Sequence, residues 1–343
     1  MYSENISPPY FSGLNIPIQF QHTTKTNSSK QLITNLKHFY KIPLYNFVRG
    51  EKDLARLKTN TKLKPLKKAD LQVVKPVKTT KYSDIDLNNW KSYDHVKTDT
   101  LWEFPTRLRE GGHSNEYHGN YIPQIAQQLY ERFTKKGDVV LDLFFGSGTS
   151  GIEALNMGRR CIGVELKDEL AEKVSEKFTP KQLVTDVRII CGDSASVEVR
   201  DKIQAGLDIL GEERAQFLVL HPPYDDIIKF SDKKEDLSNC DSTEEFYDLF
   251  EKVAQNGYDK LEKGRFAALI IGDSYKNSEV QPLGFECMAR MMKLGFRLKG
   301  IIVKDIQGNE RAKGKTANLW RYRALAGGFF IFKHEYVMIF QKK

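Results

Sequence analysis

Two short segments carry residue types that could do chemistry. Residues 138–149 read Asp-Val-Val-Leu-Asp-Leu-Phe-Phe-Gly-Ser-Gly-Thr, and residues 221–224 read His-Pro-Pro-Tyr. In the first, Val139, Val140, Leu141 and Leu143 form an apolar run suited to a central parallel strand. Gly146 and Gly148 then permit a sharp turn and let a ligand lie against bare backbone. Thr149 or Ser150 is placed to cap the helix that follows. A strand running into such a turn is the usual way to hold a nucleotide-like cofactor. The third glycine of the dinucleotide fingerprint is missing, and no Gly-Lys-Ser/Thr follows, so a P-loop is excluded. The second segment ends another apolar run, Phe217–Leu220, with a rigid Pro222-Pro223 and the ring of Tyr224. In this order, on strand ends, the two segments point to methyl transfer from S-adenosylmethionine to an exocyclic amino group of a base.

Two acids support that chemistry. A strand from Arg160 ends in Glu165, spaced from Gly148 as a carboxylate accepting hydrogen bonds from a ribose would be. A further strand, Val187–Cys191, leads into Gly192-Asp193-Ser194, where Asp193 could meet an adenine amino group. Either acid alone could equally cap a helix. Three successive strand ends, each carrying the expected group, count against that reading.

The elements that must position these residues are legible as an alternation. Helices are expected at 122–134, 150–157, 167–177, 195–209, 243–262 and 283–294. Strands are expected at 138–144, 160–165, 187–191, 216–221, 265–272, 296–303 and 334–341. Such a series means an α/β, Rossmann-like fold: a seven-stranded, mostly parallel sheet with helices on both faces and an antiparallel closing strand. Residues 111–343 form this catalytic domain, and residues 1–110 a basic N-terminal region. Two insertions, 225–243 and 307–330, remain for substrate recognition together with that region.

The chain has 343 residues and a formal net charge of +8. Between Glu51 and Lys81 ten Lys/Arg stand against three Asp/Glu, and Lys64, Lys67 and Lys68 are its densest part. Such a stretch suits phosphate contacts, or else is a solvated arm. Lys315, Trp320, Arg321, Tyr322 and Arg323 interleave basic and aromatic side chains on an expected loop, a better nucleic-acid signal than charge alone. Four scattered cysteines without a Cys-x-x-Cys pair suggest reduced thiols in a cytoplasm-like compartment. His113, Glu116 and His118 fit no standard metal spacing, so no metal is expected. No apolar run reaches membrane-spanning length, and no membrane partner is implied.

From roughly Gly111 to Lys343 the chain resembles the S-adenosylmethionine-dependent DNA amino-methyltransferases, which make N6-methyladenine or N4-methylcytosine. The resemblance rests on Leu141–Thr149, Gly158–Leu166, the Pro-Pro-Tyr segment and the closing His334–Phe340. It implies S-adenosylmethionine contacts from Asp142, Phe144, Gly146, Ser147, Gly148, Thr149, Glu165, Leu166 and Asp193. The stretch containing Tyr121 and Pro123 resembles the family's segment flanking the methionine end of the cofactor. The wording is closest to the beta group, in which the Pro-Pro segment precedes the glycine turn; here that order is reversed.

His221 departs from the Asp, Asn or Ser that the family places before Pro-Pro. An acceptor belongs there because an aromatic amino group delocalises its lone pair into the ring. Hydrogen bonds accepted from its N–H groups localise that pair and aim it at the methyl group. A neutral imidazole has one acceptor nitrogen and can take the role, in which case activity falls through a pKa near ~6.5 if unperturbed. It could also donate to a ring nitrogen, or simply pack on proline. Pro222 and Pro223 would present carbonyls to the substrate, and Tyr224 would stack on a base taken out of the duplex. The bulk of His221 favours adenine over cytosine. The implied setting is a bacterial, archaeal or phage restriction-modification system. Its substrate is double-stranded DNA, and a cognate restriction endonuclease reads the same site without direct contact. An RNA base methyltransferase, a catalytically inactive nucleic-acid-binding relative and a nicotinamide oxidoreductase remain as alternatives.

Overall fold

A computed structural model describes residues 77–113, 119–276, 279–306 and 317–343, without the side chains of Asp226 and residues 317–320. The chain divides into two units, Met1–Val74 and Lys75–Lys343. The first lies outside the described residues, as do Lys64, Lys67 and Lys68.

The second unit is built on an eight-stranded sheet. Its strands are β1 (Leu101–Trp102), β2 (Val139–Asp142), β3 (Arg160–Glu165), β4 (Val187–Cys191), β5 (Ala215–Leu220), β6 (Leu261–Ile271), β9 (Phe296–Asp305) and β10 (His334–Lys342). Their spatial order is β1-β9-β10-β6-β5-β2-β3-β4. Every neighbouring pair is parallel except those made by β10, which is antiparallel to both β6 and β9. Between β6 and β9 a small hairpin, β7 (Ser274–Lys276) with β8 (Glu279–Gln281), stands apart as a second sheet. Reversal of strand order around β2 opens a crevice at the carboxyl ends of β2 and β5, the usual ligand position in such sheets.

Alternation along the buried strands divides the core into two layers. Leu141, Leu218 and Leu220 pack on one face of the sheet with Phe246, Phe250 and Met291. Val140, Phe217 and Val219 pack on the other with Ile125, Leu129 and Tyr130. These residues come from strands buried along their whole length, which is why they read as continuous apolar runs. The flanking helices are α1 (Pro123–Phe133), α2 (Thr149–Asn156), α3 (Asp168–Ser175), α4 (Pro180–Thr185), α5 (Val197–Ile209), α6 (Thr243–Lys260), α7 (Leu283–Lys293) and α8 (Ala317–Gly327).

The sheet has one strand more than expected. β1 comes from residues grouped above with the basic N-terminal region; it pairs with β9, and Trp102 is 1% exposed beside Ile125 and Val337. A two-residue strand in polar surroundings leaves no periodicity to read. The helix expected at 167–177 is shorter and is followed by α4, which starts at a capping box between Thr179 and Gln182 with Pro180 at its first position. Residues 317–327 were expected as loop and form α8, whose described side chains are almost all exposed. A helix with no buried face carries no amphipathic signature. Among the described residues no helix is long and apolar enough to cross a membrane.

Candidate active site

The turn after β2 is held from below by two carboxylates. Asp142 is 1% exposed; its Oδ1 accepts from the Phe144 N–H at 2.9 Å and its Oδ2 from the Ser150 hydroxyl at 2.5 Å. Burial pushes this carboxyl up to about 6 against those two hydrogen bonds. The Ser150 hydroxyl is thereby committed to Asp142, and α2 is capped instead by Gly148, whose φ of 80° is left-handed. Glu165, at the end of β3, accepts from the Gly146 N–H at 2.8 Å through Oε2 and from the Lys167 N–H at 3.0 Å through Oε1. Its carboxyl is pushed up to about 7, chiefly by burial. Beneath the turn the Phe145 ring packs against Gly148, Gly151 and Gly163, where no Cβ would fit without displacing a neighbour.

Above the turn lies a single cleft with about 840 Å³ of empty volume, open to solvent. Of the residues expected to bind cofactor, Tyr121, Phe144, Gly146, Thr149, Glu165, Leu166 and Asp193 line it. His221, Pro222 and Pro223, from the end of β5, line it too. Asp193 is half-buried, accepts from the Ala195 N–H at 2.8 Å, and its pKa is raised by that burial from its ordinary value. Pro123, Asp142, Ser147 and Gly148 are not on the cleft wall. Pro123 opens α1 in the core, Asp142 is spent on the turn, and the Ser147 carbonyl accepts from Lys177 Nζ at 2.8 Å.

Several wall residues had no signal in the sequence. Asn120, Phe230, Glu235 and Leu237 complete the cleft, the last three from the insertion after Pro-Pro-Tyr. That insertion is tied down by Lys233, which donates to the Leu166 carbonyl at 2.7 Å and to Asp168 at 2.6 Å. Only the position of this segment, directly after a strand end, could have suggested its place over the cleft. His113 has found a partner other than a metal: its Nε2 lies 2.5 Å from Glu153 Oε1, both side chains 2% exposed. Glu116 and His118 lie outside the described residues, among which no group of three metal-ligating side chains occurs.

The His-Pro-Pro-Tyr segment is arranged differently from its expected role in one respect. The Tyr224 ring is not on the cleft wall but packs over Gly272, where a Cβ would come within 2.9 Å of it. Its hydroxyl donates to Glu335 Oε2 at 2.8 Å, and His221 Nε2 approaches that hydroxyl at 3.4 Å. Glu335 Oε1 in turn lies 3.0 Å from Lys304 Nζ, both side chains below a tenth exposed. The His221 ring also meets the edge of Tyr121, with centroids 5.2 Å apart. Burial lowers the His221 pKa to about 4, so the imidazole is neutral well below the ~6.5 of a free histidine.

Of the residues expected to touch nucleic acid, Lys315 lies outside the described residues, and Trp320 is placed only by its backbone in α8. Arg321 and Arg323 are exposed on α8, on a helix and not on a loop. That helix joins the end of β9 to the start of β10, at the end of the sheet where β2 and β5 also finish.

Comparison with known proteins adds a likeness to a family over part of the chain. Residues 18–176 match the N6_N4_Mtase model, described as DNA methylase. That span holds the glycine turn and Glu165 and ends before His221. A segment of 177 residues, 50% of the chain, is 24% identical to a probable type III restriction-modification enzyme HindVI Mod subunit of Haemophilus influenzae, covering 21% of that protein. Another of 102 residues, 29% of the chain, is 41% identical to the type II methyltransferase M2.DpnII of Streptococcus pneumoniae, covering 33% of it. The chain thus spans a third or less of these curated relatives. Among solved structures, TrmN from Thermus thermophilus aligns over 66% of this chain and 50% of its own, with 16% identity and a TM-score of 0.42. The family model and the two restriction-modification relatives bear out the resemblance to the DNA amino-methyltransferases.

Proposed function

We propose that this chain is a DNA amino-methyltransferase that moves a methyl group from S-adenosylmethionine to an exocyclic amino group, adenine N6 in preference to cytosine N4. The observation that carries this reading is one cleft lined both by Gly146, Glu165 and Asp193 and by His221-Pro222-Pro223. The residues present fit the cofactor. Glu165 spends one lone pair of each oxygen on the turn and keeps the others for ribose hydroxyls. Asp193 accepts from the Ala195 N–H through Oδ1 and also lines the cleft, where Oδ2 would serve an adenine amino group. When bound there, S-adenosylmethionine supplies an electrophilic methyl group on a sulfonium.

The chain's own residues then act on the base. Neutral His221 accepts a hydrogen bond from the amino group, which localises the nitrogen lone pair. Pro222 leaves no N–H at its position to compete for that contact. With its lone pair so aimed, the amino nitrogen would take the methyl group and give up one proton to solvent. Tyr224 is held away from the cleft, so stacking of the base falls to Phe230 or Tyr121, both on the wall. Arg321, Tyr322 and Arg323 on exposed α8 serve the phosphate backbone. In a restriction-modification setting, an endonuclease reading the same site is the expected companion.

Incubation with methyl-labelled cofactor and a mixture of duplex DNA and structured RNA, followed by separation and digestion to nucleosides, tests the reading. Label in N6-methyladenine is the expected result. Label in N4-methylcytosine would overturn the choice of base, and label in RNA alone would overturn the choice of substrate.

A further inference from the structure

We propose that Tyr224, Glu335 and Lys304 form a positioning relay that fixes the tautomer of His221, so that Nδ1 is the nitrogen left to accept from the target amino group. The last step rests on the function proposed above; the relay itself does not. Glu335 and Lys304 are directly opposed in the β10–β9 register and pair at 3.0 Å in a nearly dry environment. In that ion pair Glu335 serves as an acceptor only, and removing either partner would leave a buried charge uncompensated. Arg107 adds its positive field to Glu335 from the segment before α1.

The phenol of Tyr224 has one proton, and at 2.8 Å that proton goes to Glu335 Oε2. What the phenol then offers on its other side is a lone pair. His221 Nε2 faces that oxygen at 3.4 Å. With a proton on Nε2 the contact is a long hydrogen bond; with a lone pair there it sets two lone pairs against each other. Since the neutral ring carries one proton, placing it on Nε2 strips Nδ1. Each partner thus removes one choice from the next, and the carboxylate decides the polarity of the imidazole without touching it. Tyr121 meets the ring edge-on from the remaining side and holds its plane.

Long-range proton–nitrogen NMR on the full chain labelled in histidine reads the tautomer without any substrate. The expected result is a protonated Nε2 on His221 in the unmodified protein and a mixture of tautomers in Tyr224→Phe, which keeps the ring over Gly272. A protonated Nδ1 in the unmodified protein overturns the relay, whatever the activity. An unchanged tautomer in a folded Tyr224→Phe variant overturns it equally. With DNA, Tyr224→Phe is expected to lower kcat by about three- to tenfold, the worth of one modest hydrogen bond, with cofactor affinity unchanged. Glu335→Gln, which still offers an acceptor to Tyr224, is expected to retain more of the rate than Glu335→Ala. Equal losses in the two would overturn the role of the carboxylate. Absence of methyl transfer in every form would overturn the proposed function and leave the NMR result standing.

Discussion

At the scale of single residues, two acids that look alike in the sequence do opposite work. Asp142 and Glu165 both end a strand beside the glycine turn, and nothing in composition or spacing separates them. Burial does. Asp142 is consumed by the Phe144 N–H and Ser150 hydroxyl, whereas Glu165 reaches the cleft. The Asp142 carboxyl stands at about 6 in the fold against an ordinary 3.8, so folding favours its protonated form. Its contribution to stability is therefore complete below about pH 4 and lost as pH rises through about 6, a change of about 3 kcal/mol for two pKa units. Denaturant titrations at several pH values should show a shallower dependence in Asp142→Asn. For Glu165 the ligand reverses the balance, since ribose hydroxyls need the carboxylate as acceptor. S-adenosylmethionine affinity should fall as pH drops below about 7, and Glu165→Ala should weaken binding by about 1–3 kcal/mol in calorimetry. His221 moves its own window. Because burial holds it near 4, turnover should be insensitive to this group between about pH 5 and 8 and decline only toward pH 4. The expectation of a fall near ~6.5 treated the ring as solvated, and a sequence does not tell how dry a strand end is.

At the scale of elements, the turn depends on an aromatic ring seated among small residues. Phe145 donates its N–H to the Val164 carbonyl at 2.9 Å while its ring fills the space that Gly163 and Gly151 leave open. Gly163→Ala should cost about 1–3 kcal/mol through overpacking, visible as a lower Tm, and should loosen cofactor binding with it because the ring it displaces belongs to Phe145, next to Gly146 in the turn. The strands and helices around this turn were readable because each has a strong period or an unbroken apolar run. Val139–Leu141, Arg160–Glu165 and Phe217–Leu220 are all strands where such runs predict them. What could not be read lacks any pattern for burial to impress. Leu101–Trp102 is too short, and α8 exposes Tyr322 and Leu325 as well as its arginines. The insertion that roofs the cleft was visible as an insertion, but its tie through Lys233 to Asp168 joins residues far apart in the chain, and local composition cannot announce it.

At the scale of the sheet, the cleft, the hairpin and the exposed helix all follow the same end of the strands, where β2, β5, β6 and β9 finish. Tyr275 on β7 stacks on Phe332 at 4.9 Å and accepts from the Phe330 N–H, which ties the β7–β8 hairpin to the segment returning from α8. DNA lying across that end would meet α8 and the cleft together. Replacing Arg321 and Arg323 with serine should leave cofactor affinity unchanged, weaken DNA binding, and reduce the slope of log K against log salt by about one for each charge that contacts a phosphate. An unaltered slope would remove α8 from the interface. The position of β10 has a consequence of another kind, in the order of synthesis. This last strand of the sheet lies in its interior, between β6 and β9, and it carries Glu335. While a ribosome is still translating residues before 334, β6 and β9 both present unpaired edges, and the imidazole of His221 has no distant carboxylate to answer to. A chain cut short before residue 334 would therefore expose two strand edges to other chains and be prone to aggregate, where the intact sheet hides both.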